Sequence, residues 1–567
     1  MQDKGFFDIF SKVEPVNKGW SEDKKYCVTK ADGMKYMLRI SPGERYEKRK
    51  TLFEMLERVA ELGIPMCMPI EFGTCKDGVY ILESWIDGED AEATISMLPI
   101  TEQYVLGLKS GEILRKIHSI SAPETQEDWA VRFNRKTNNK IQKYRECGIR
   151  FAGDDRVVEY IENNRHLLEN RPQSFQHGDY HIGNMMLEKG ELRIIDFDRF
   201  DFGDPWEEFN RIVWCAAASP YFATGQLRGY FGGEPPMEFF RLLAFYIASN
   251  TLSSIYWAIP FGQNEIDTMM KQSQDVLSWF NNMQNPVPTW YLKNFHVQWI
   301  DGVLIRIKNP YNFDFIHQYG TVFRVIDGQS SGNLCFGVEK DGRRYFIKFA
   351  GAETINNYNL PVGDAIARLK AAVPKYRDLA HPLLINLVKA EEIGGGFTIV
   401  FDWEDGESFG DQNPSLHERF LTLLIDKKMG VFEEILRFHE HVAQYGYVAI
   451  DFNDNSVLYN FSSGKVMICD IDFYAKQSYI NGMGRVLGDE KIMSPEEFRI
   501  GGLLDEVTNV YTMGATAFAL FSDYDRSPEK WLPSKELYNV AKRAVSDERS
   551  QRQQSIRQLI EEWEAAK

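Results

Sequence analysis

Several familiar site patterns are missing from this sequence. Its seven cysteines are odd in number and scattered, with no Cys-x-x-Cys pair, so neither a disulfide framework nor a structural zinc site is expected. Reduced thiols in a cytoplasmic protein fit this usage better. No Gly-x-x-x-x-Gly-Lys-Ser/Thr loop occurs, which excludes a nucleotide site of the P-loop type. Positive charge is in deficit: 65 Lys and Arg against 82 Asp and Glu leave a net charge of −17. That balance argues against a nucleic-acid partner, which needs a basic surface. The opening Met-Gln-Asp-Lys-Gly-Phe-Phe lacks the long apolar region of a signal peptide. One uncharged stretch, Leu242 to Asn264, is long enough to span a bilayer. Ser249-Asn-Thr251, Ser253-Ser254 and Pro260 interrupt it, so a buried helix of a soluble domain is expected, with no membrane partner.

What is present is a dense polar stretch between apolar runs. A chain of 567 residues is too long for one core and implies more than one domain. Phe175-Gln-His-Gly-Asp-Tyr-His-Ile-Gly-Asn-Met-Met-Leu187 leads through Glu188-Lys-Gly-Glu191 into Leu192-Arg-Ile-Ile-Asp-Phe-Asp198. The apolar runs Met185–Leu187 and Leu192–Ile195 around a Gly-containing turn predict a β-hairpin. The polar groups then lie on the loop before one strand and the loop after the other, so His177, Asp179, Asn184, Asp196 and Asp198 converge. Carboxylates with one amide suit Mg²⁺ shared with substrate phosphates.

His177-Gly-Asp179 with Asn184, followed by Ile195-Asp-Phe-Asp198, resembles the catalytic loop and metal segment of aminoglycoside phosphotransferases and choline-kinase-like enzymes, which share the protein-kinase fold. The resemblance implies an ATP- and Mg²⁺-dependent transfer to a small-molecule hydroxyl, with Asp179 orienting or deprotonating the acceptor. It implies that Asn184 and Asp196 hold Mg²⁺, that Asp198 is a second metal contact, and that His177 braces the loop. Upstream, Lys25–Val28 and Met34–Ile40 flank Ala31-Asp-Gly33 as a hairpin of a small β-rich lobe. Arg39 then takes the place of the cation that grips the ATP phosphates. Tyr46 to Leu62 has helical spacing, with Leu52, Met55, Leu56, Val59 and Leu62 on one face. By the same resemblance its Glu54 pairs with that cation, and backbone groups near Leu82–Trp85 face the adenine. Asp204-Pro205 matches the Gly-Asp-Pro that follows the metal segment. Glu207 and Glu208 are expected on the exposed face of the next helix, the other reading being that they meet substrate ammonium groups, and His118 is read as a packing residue.

The second half repeats the order of features. Ile81-Leu-Glu-Ser-Trp-Ile-Asp-Gly-Glu89 is echoed by Ile399-Val-Phe-Asp-Trp-Glu-Asp-Gly-Glu407, and Ile194-Ile-Asp-Phe-Asp198 by Ile468-Cys-Asp-Ile-Asp472. Tyr345-Phe-Ile-Lys-Phe349 follows a turn at Lys340-Asp-Gly342, as Tyr36–Ile40 follows Ala31–Gly33. Such repetition implies two modules in tandem. The second is the more compact, and Met493-Ser-Pro-Glu-Glu497 with Thr508–Gly514 resembles a Ser/Thr protein kinase, in which Arg552 would pair with Glu496. That resemblance makes Lys348 the nucleotide cation, Asp451 the catalytic Asp and Asp470 a metal ligand. Departures accompany it: Ala449-Ile450 replace the usual His-Arg, and Ser456 replaces the metal-binding Asn. The expectation is an α+β chain of two tandem protein-kinase-like bilobal domains, residues 1–292 and 293–567, each with a β-rich N-lobe and a helical C-lobe. The acceptor is read as aminoglycoside-like or an amino-alcohol. The alternative is a signalling Ser/Thr protein kinase, or a pseudokinase regulator, acting through the second module.

Overall fold

The computed structural model describes residues 6–17, 23–356, 360–410 and 414–567. Most of the opening stretch read for a signal peptide, Met1–Gly5, lies outside them. The chain divides into two compact units, Met1–Lys293 and Asn294–Lys567.

In the first unit, strands β1 (Lys12–Pro15), β2 (Lys24–Thr29), β3 (Lys35–Ser41), β4 (Pro69–Cys75) and β5 (Gly78–Ser84) form one antiparallel sheet in the order β1-β2-β3-β5-β4. Alternation along β3 buries Tyr36, Leu38 and Ile40 with Val28 and Leu82. Arg39, between Leu38 and Ile40, therefore projects from the opposite face. Helix α1 (Tyr46–Ala60) crosses between β3 and β4 and buries Arg49, Leu52, Met55, Leu56 and Val59, a stripe at the helical period.

The rest of the unit is mainly helical. The helices Ile100–Ile117 and Pro220–Phe231 approach backbone to backbone. A Cβ at Gly111 would lie 2.0 Å from Gln226 O and one at Gly229 2.0 Å from Leu108 O, so only glycine permits this packing. The helix Met237–Ala258 contains most of the uncharged stretch read from the sequence. It is long and apolar enough to cross a membrane, yet 67% of its most apolar window is buried within the unit. Its Tyr246 accepts a hydrogen bond from Trp129 Nε1 at 3.0 Å and donates to Asp204 at 2.6 Å.

The second unit contains an antiparallel sheet of Thr321–Ile326, Leu334–Lys340, Arg343–Ala350, Gly396–Asp402 and Leu387–Ile393, in that order. This is the strand order of the first sheet, with the helix Val362–Asp378 entering at the same point in the chain as α1. Lys348 on the third strand pairs across with Ile399, as Arg39 pairs with Ile81. A two-stranded hairpin, His296–Ile300 with Val303–Ile307, precedes this sheet.

Candidate active site

The hairpin that carries the first site is closed by Lys189 and Gly190, both at positive φ, between Met185–Glu188 and Glu191–Ile194. Two such residues make the turn whose twist suits paired strands. His177 joins the loops at its two ends. Its Nε2–H donates to Ile195 O at 3.0 Å, and its Nδ1 accepts from Asp179 N–H at 3.3 Å, which fixes the tautomer. The ring is fully buried against Phe197. Asn184 donates from Nδ2 to Asp179 O at 2.9 Å, leaving its side-chain oxygen as the acceptor. Main-chain Ile195 N–H donates to Asn184 O at 3.1 Å. Asp179, Asn184, His177 and the metal segment are thus tied together by short-range bonds.

Arg39 links this loop cluster to the sheet. Its Nη1 lies 2.8 Å from Asp198 and 3.3 Å from Asp196, and its Nε is 3.4 Å from buried Glu83 on β5. Burial pushes the Asp196 carboxyl up, but Arg39, with Lys25, outweighs it and holds the group below its usual value. Burial pushes Glu83 up, and Arg39 only partly offsets this.

Three residues stand differently from their sequence reading. Glu54 does not reach Arg39: it faces solvent, 58% exposed, beside Lys50 at 3.8 Å. The buried stripe of α1 runs through Arg49, Met55 and Leu56, which turns position 54 outward. The helix instead presents a cation, Arg49, whose Nη1 lies 2.8 Å from Asp198 and whose Nη2 pairs with buried Asp23. Asp198 therefore has both oxygens taken by arginines and is a brace between sheet and helix. Glu208 is buried, not exposed: it accepts from Gly178 N–H at 2.9 Å and Tyr180 N–H at 3.3 Å, with His118 Nε2 at 3.7 Å. Burial pushes its carboxyl up, but His118 and Gly178 N–H bring it below the usual range. Asp204 is fully buried and accepts from Arg171, Tyr246 and Trp206 N–H.

The sequence reading passed over three further neighbours of Asp179. Arg211 Nε is 3.3 Å from one carboxylate oxygen, Arg199 Nη1 is 3.7 Å from the other, and His181 Nε2 is 3.7 Å away. His181 lay within the quoted loop, whereas nothing local marked the arginines. Burial pulls the His181 imidazole down to about 4 despite Asp179, so the ring is neutral near pH 7.

Among the described residues no group of three or more His, Cys, Asp and Glu is arranged to hold a metal alone. Asp196, 35% exposed, and the Asn184 oxygen supply hard oxygen donors, a set that fits Mg²⁺ when phosphates complete the shell.

The second unit repeats part of this arrangement. Lys348 Nζ lies 2.6 Å from Asp470 and 2.9 Å from Asp472, and Tyr376 donates to Asp472 at 2.8 Å. The side chains of Asp470 and Asp472 stand at i and i+2 around one cation, as those of Asp196 and Asp198 do. Ser456 is buried, with its hydroxyl facing Asn453 N–H in a capping box, so no amide oxygen stands where Asn184 does. Burial, with Asp470 and Asp472 nearby, pushes the Asp451 carboxyl up to about 7. Arg552 is fully buried and meets Glu496 through two bonds of 2.7 and 3.0 Å.

No curated protein matches the chain. Solved structures that are similar include a thermostable mutant of the aminoglycoside phosphotransferase APH(4)-Ia in its apo form. It is 16% identical and has a TM-score of 0.38, covering 48% of this chain and 96% of that one. A ternary complex of a D198A form of that mutant with ADP and hygromycin B is 17% identical with a TM-score of 0.37, covering 48% and 95%. The ADP-bound aminoglycoside phosphotransferase APH(2'')-Ib is 14% identical with a TM-score of 0.36, covering 47% and 94%. The family model described as APH, phosphotransferase enzyme family, matches residues 12–240, the stretch that holds Arg39, Asp179, Asn184 and Asp196.

Proposed function

We propose that the chain is an ATP- and Mg²⁺-dependent phosphotransferase whose first unit, residues 1–292, transfers the γ-phosphoryl group to a hydroxyl of a small molecule in the cytoplasm. The observation that carries this reading is the bonding of His177 to both Asp179 N–H and Ile195 O, which brings the Asp179 loop against Asp196. In phosphoryl transfer the protein mainly positions groups and balances charge. Asp179 would orient the acceptor hydroxyl and take its proton as the new O–P bond forms and ADP leaves with the old bridging oxygen. Asn184 and Asp196 would hold Mg²⁺, which when bound neutralises phosphate charge. Arg39 would face the phosphates once nucleotide competes with Asp196 for it. The match of residues 12–240 to a phosphotransferase family supports the reaction class. An aminoglycoside-like or amino-alcohol acceptor is what the family resemblance implies.

For residues 293–567 the repeated strand order and the pairing of Lys348 with Asp470 and Asp472 favour a protein-kinase-like domain. With Ser456 in place of an amide ligand, a nucleotide-binding regulator is the better reading, and a Ser/Thr kinase acting on a protein is the alternative.

The test uses the full chain with ATP and Mg²⁺ against a panel of small hydroxyl compounds. Asp179→Ala should abolish acceptor-stimulated ADP release, and wild-type turnover in that variant would overturn the reading. Labelled transfer to a generic protein that survives Asp179→Ala and disappears with Asp451→Ala would make the second unit a kinase.

A further inference from the structure

The side chains around Asp179 carry the opposite charge from the one a polycationic acceptor would need. Arg211 and Arg199 flank its two oxygens at 3.3 and 3.7 Å, distances of ion pairs without hydrogen bonds. Arg199 is half exposed, and Arg211 is partly open at 26%. A third cation, Lys140 on the helix Trp129–Glu146, is close enough to Arg211, Lys136 and Glu207 for all three to bear on its charge. Burial pulls its ammonium down to about 7, and Lys136 and Arg211 add repulsion that Glu207 does not cancel. Glu207 itself accepts a hydrogen bond from Gln176 Nε2 at 3.2 Å. Arg211 and Arg199 are thus the charges nearest Asp179, while Glu208 is taken up by the backbone amides of Gly178 and Tyr180 and Asp179 must stay available to the reacting hydroxyl. A guanidinium offers five N–H donors in a planar fork, and one ion-pair contact leaves most of them for a ligand.

We propose that the acceptor of the first unit is an anionic hydroxyl compound, its carboxylate or phosphate group held by Arg211 and Arg199 while its hydroxyl faces Asp179. This rests on the phosphotransferase reading above but replaces the amino-bearing acceptor that the family resemblance implies: an ammonium-bearing sugar would bring like charge against both guanidinium groups. Arg39 and Arg49 are engaged by Asp196, Asp198, Glu83 and Asp23 on the other side of the loop cluster. The two arginines at Asp179 are therefore a separate set from those of the metal segment.

The experiment first fills the nucleotide site of the full chain with a non-hydrolysable ATP analogue and Mg²⁺, then follows thermal unfolding. A rise in midpoint with nucleotide alone reports the site, and its absence would count against the phosphotransferase reading itself. Citrate, a phosphorylated polyol, a neutral polyol and an amino-sugar are then added in turn. The two anions should raise the midpoint further, and Arg211→Gln should weaken that binding about tenfold or more, as expected for losing a charge-assisted bond. Stabilisation by the amino-sugar alone, by no anion, or equally in Arg211→Gln would overturn the proposal. Asp179-dependent ADP release in the same panel separates the outcomes: release driven by amino-sugars sinks the anionic acceptor and leaves the phosphotransferase standing. An Arg211→Gln defect confined to the KM for ATP would assign the arginine to the nucleotide and end the proposal as well.

Discussion

Glu208 holds the backbone on both sides of Asp179, and replacing it with glutamine isolates that role. The carboxylate accepts from Gly178 N–H at 2.9 and 3.2 Å and from Tyr180 N–H at 3.3 Å, with its side chain almost wholly buried. Glutamine keeps the shape but loses the charge, and its amide nitrogen must face either a backbone donor or His118. Hydrogen bonds to a buried charged group contribute about 1.5–3 kcal/mol, so a loss of that size is expected. In a unit of this length it lowers the unfolding midpoint by roughly 2–5 °C. Turnover should fall further than stability alone explains, about 100-fold, because the loop carrying Asp179 shifts. The pH dependence has a definite sign. The folded carboxyl lies below its ordinary value of 4.5. Its stabilisation is therefore full above that value and fades as the pH falls through the lower folded one. The gap between Glu208→Gln and the parent should narrow in acid. Thermal unfolding across pH, with ADP release at neutral pH, measures all three effects. A variant with parental midpoint and turnover would refute the clamp, and a lowered midpoint with unaltered turnover would leave Glu208 with a packing role alone.

Three further outcomes follow from single contacts. Gly178→Ala places a Cβ 1.8 Å from Arg199 O at a φ of +85°, so the first unit should lose more than about 2 kcal/mol, with activity lost too, by denaturant titration and ADP release. Glu496→Gln leaves the guanidinium of Arg552 buried without its charge partner, and the unfolding transition of the second unit should drop by about 3–5 kcal/mol while the first unit's stays put. Asp451 has a folded value near 7 against an ordinary 3.8, so its contribution is present below 3.8 and lost as the pH rises to about 7. Asp451→Asn should flatten that loss in a pH series of second-unit stability, and an unaltered slope would refute the assignment.

Local sequence already determined the pieces that need only neighbouring residues. The Glu188–Glu191 turn, the apolar runs beside it, the alternation that sets Arg39 on the opposite face of β3 from Leu38 and Ile40 and the stripe of α1 all follow from periods of two and 3.6 residues and from turn chemistry. Because both strands of that hairpin are short, fixing the turn also brought Asp179, Asn184 and Asp196 to one end. Packing decided which distant charges meet. Glu83 faces Arg39 and Glu54 does not, because the phase of α1 against the sheet is set by its apolar stripe and the helix turns Arg49 inward. Glu208 reads as one of two acids in a helical turn, yet burial beneath Gly178 and Tyr180 makes it part of the loop. The pairing of Arg211 and Arg199 with Asp179, and the glycine-lined crossing at Gly111 and Gly229, left no local signature either. Periodicity orients a residue within its own element, whereas the partner across the fold is chosen by how whole elements pack.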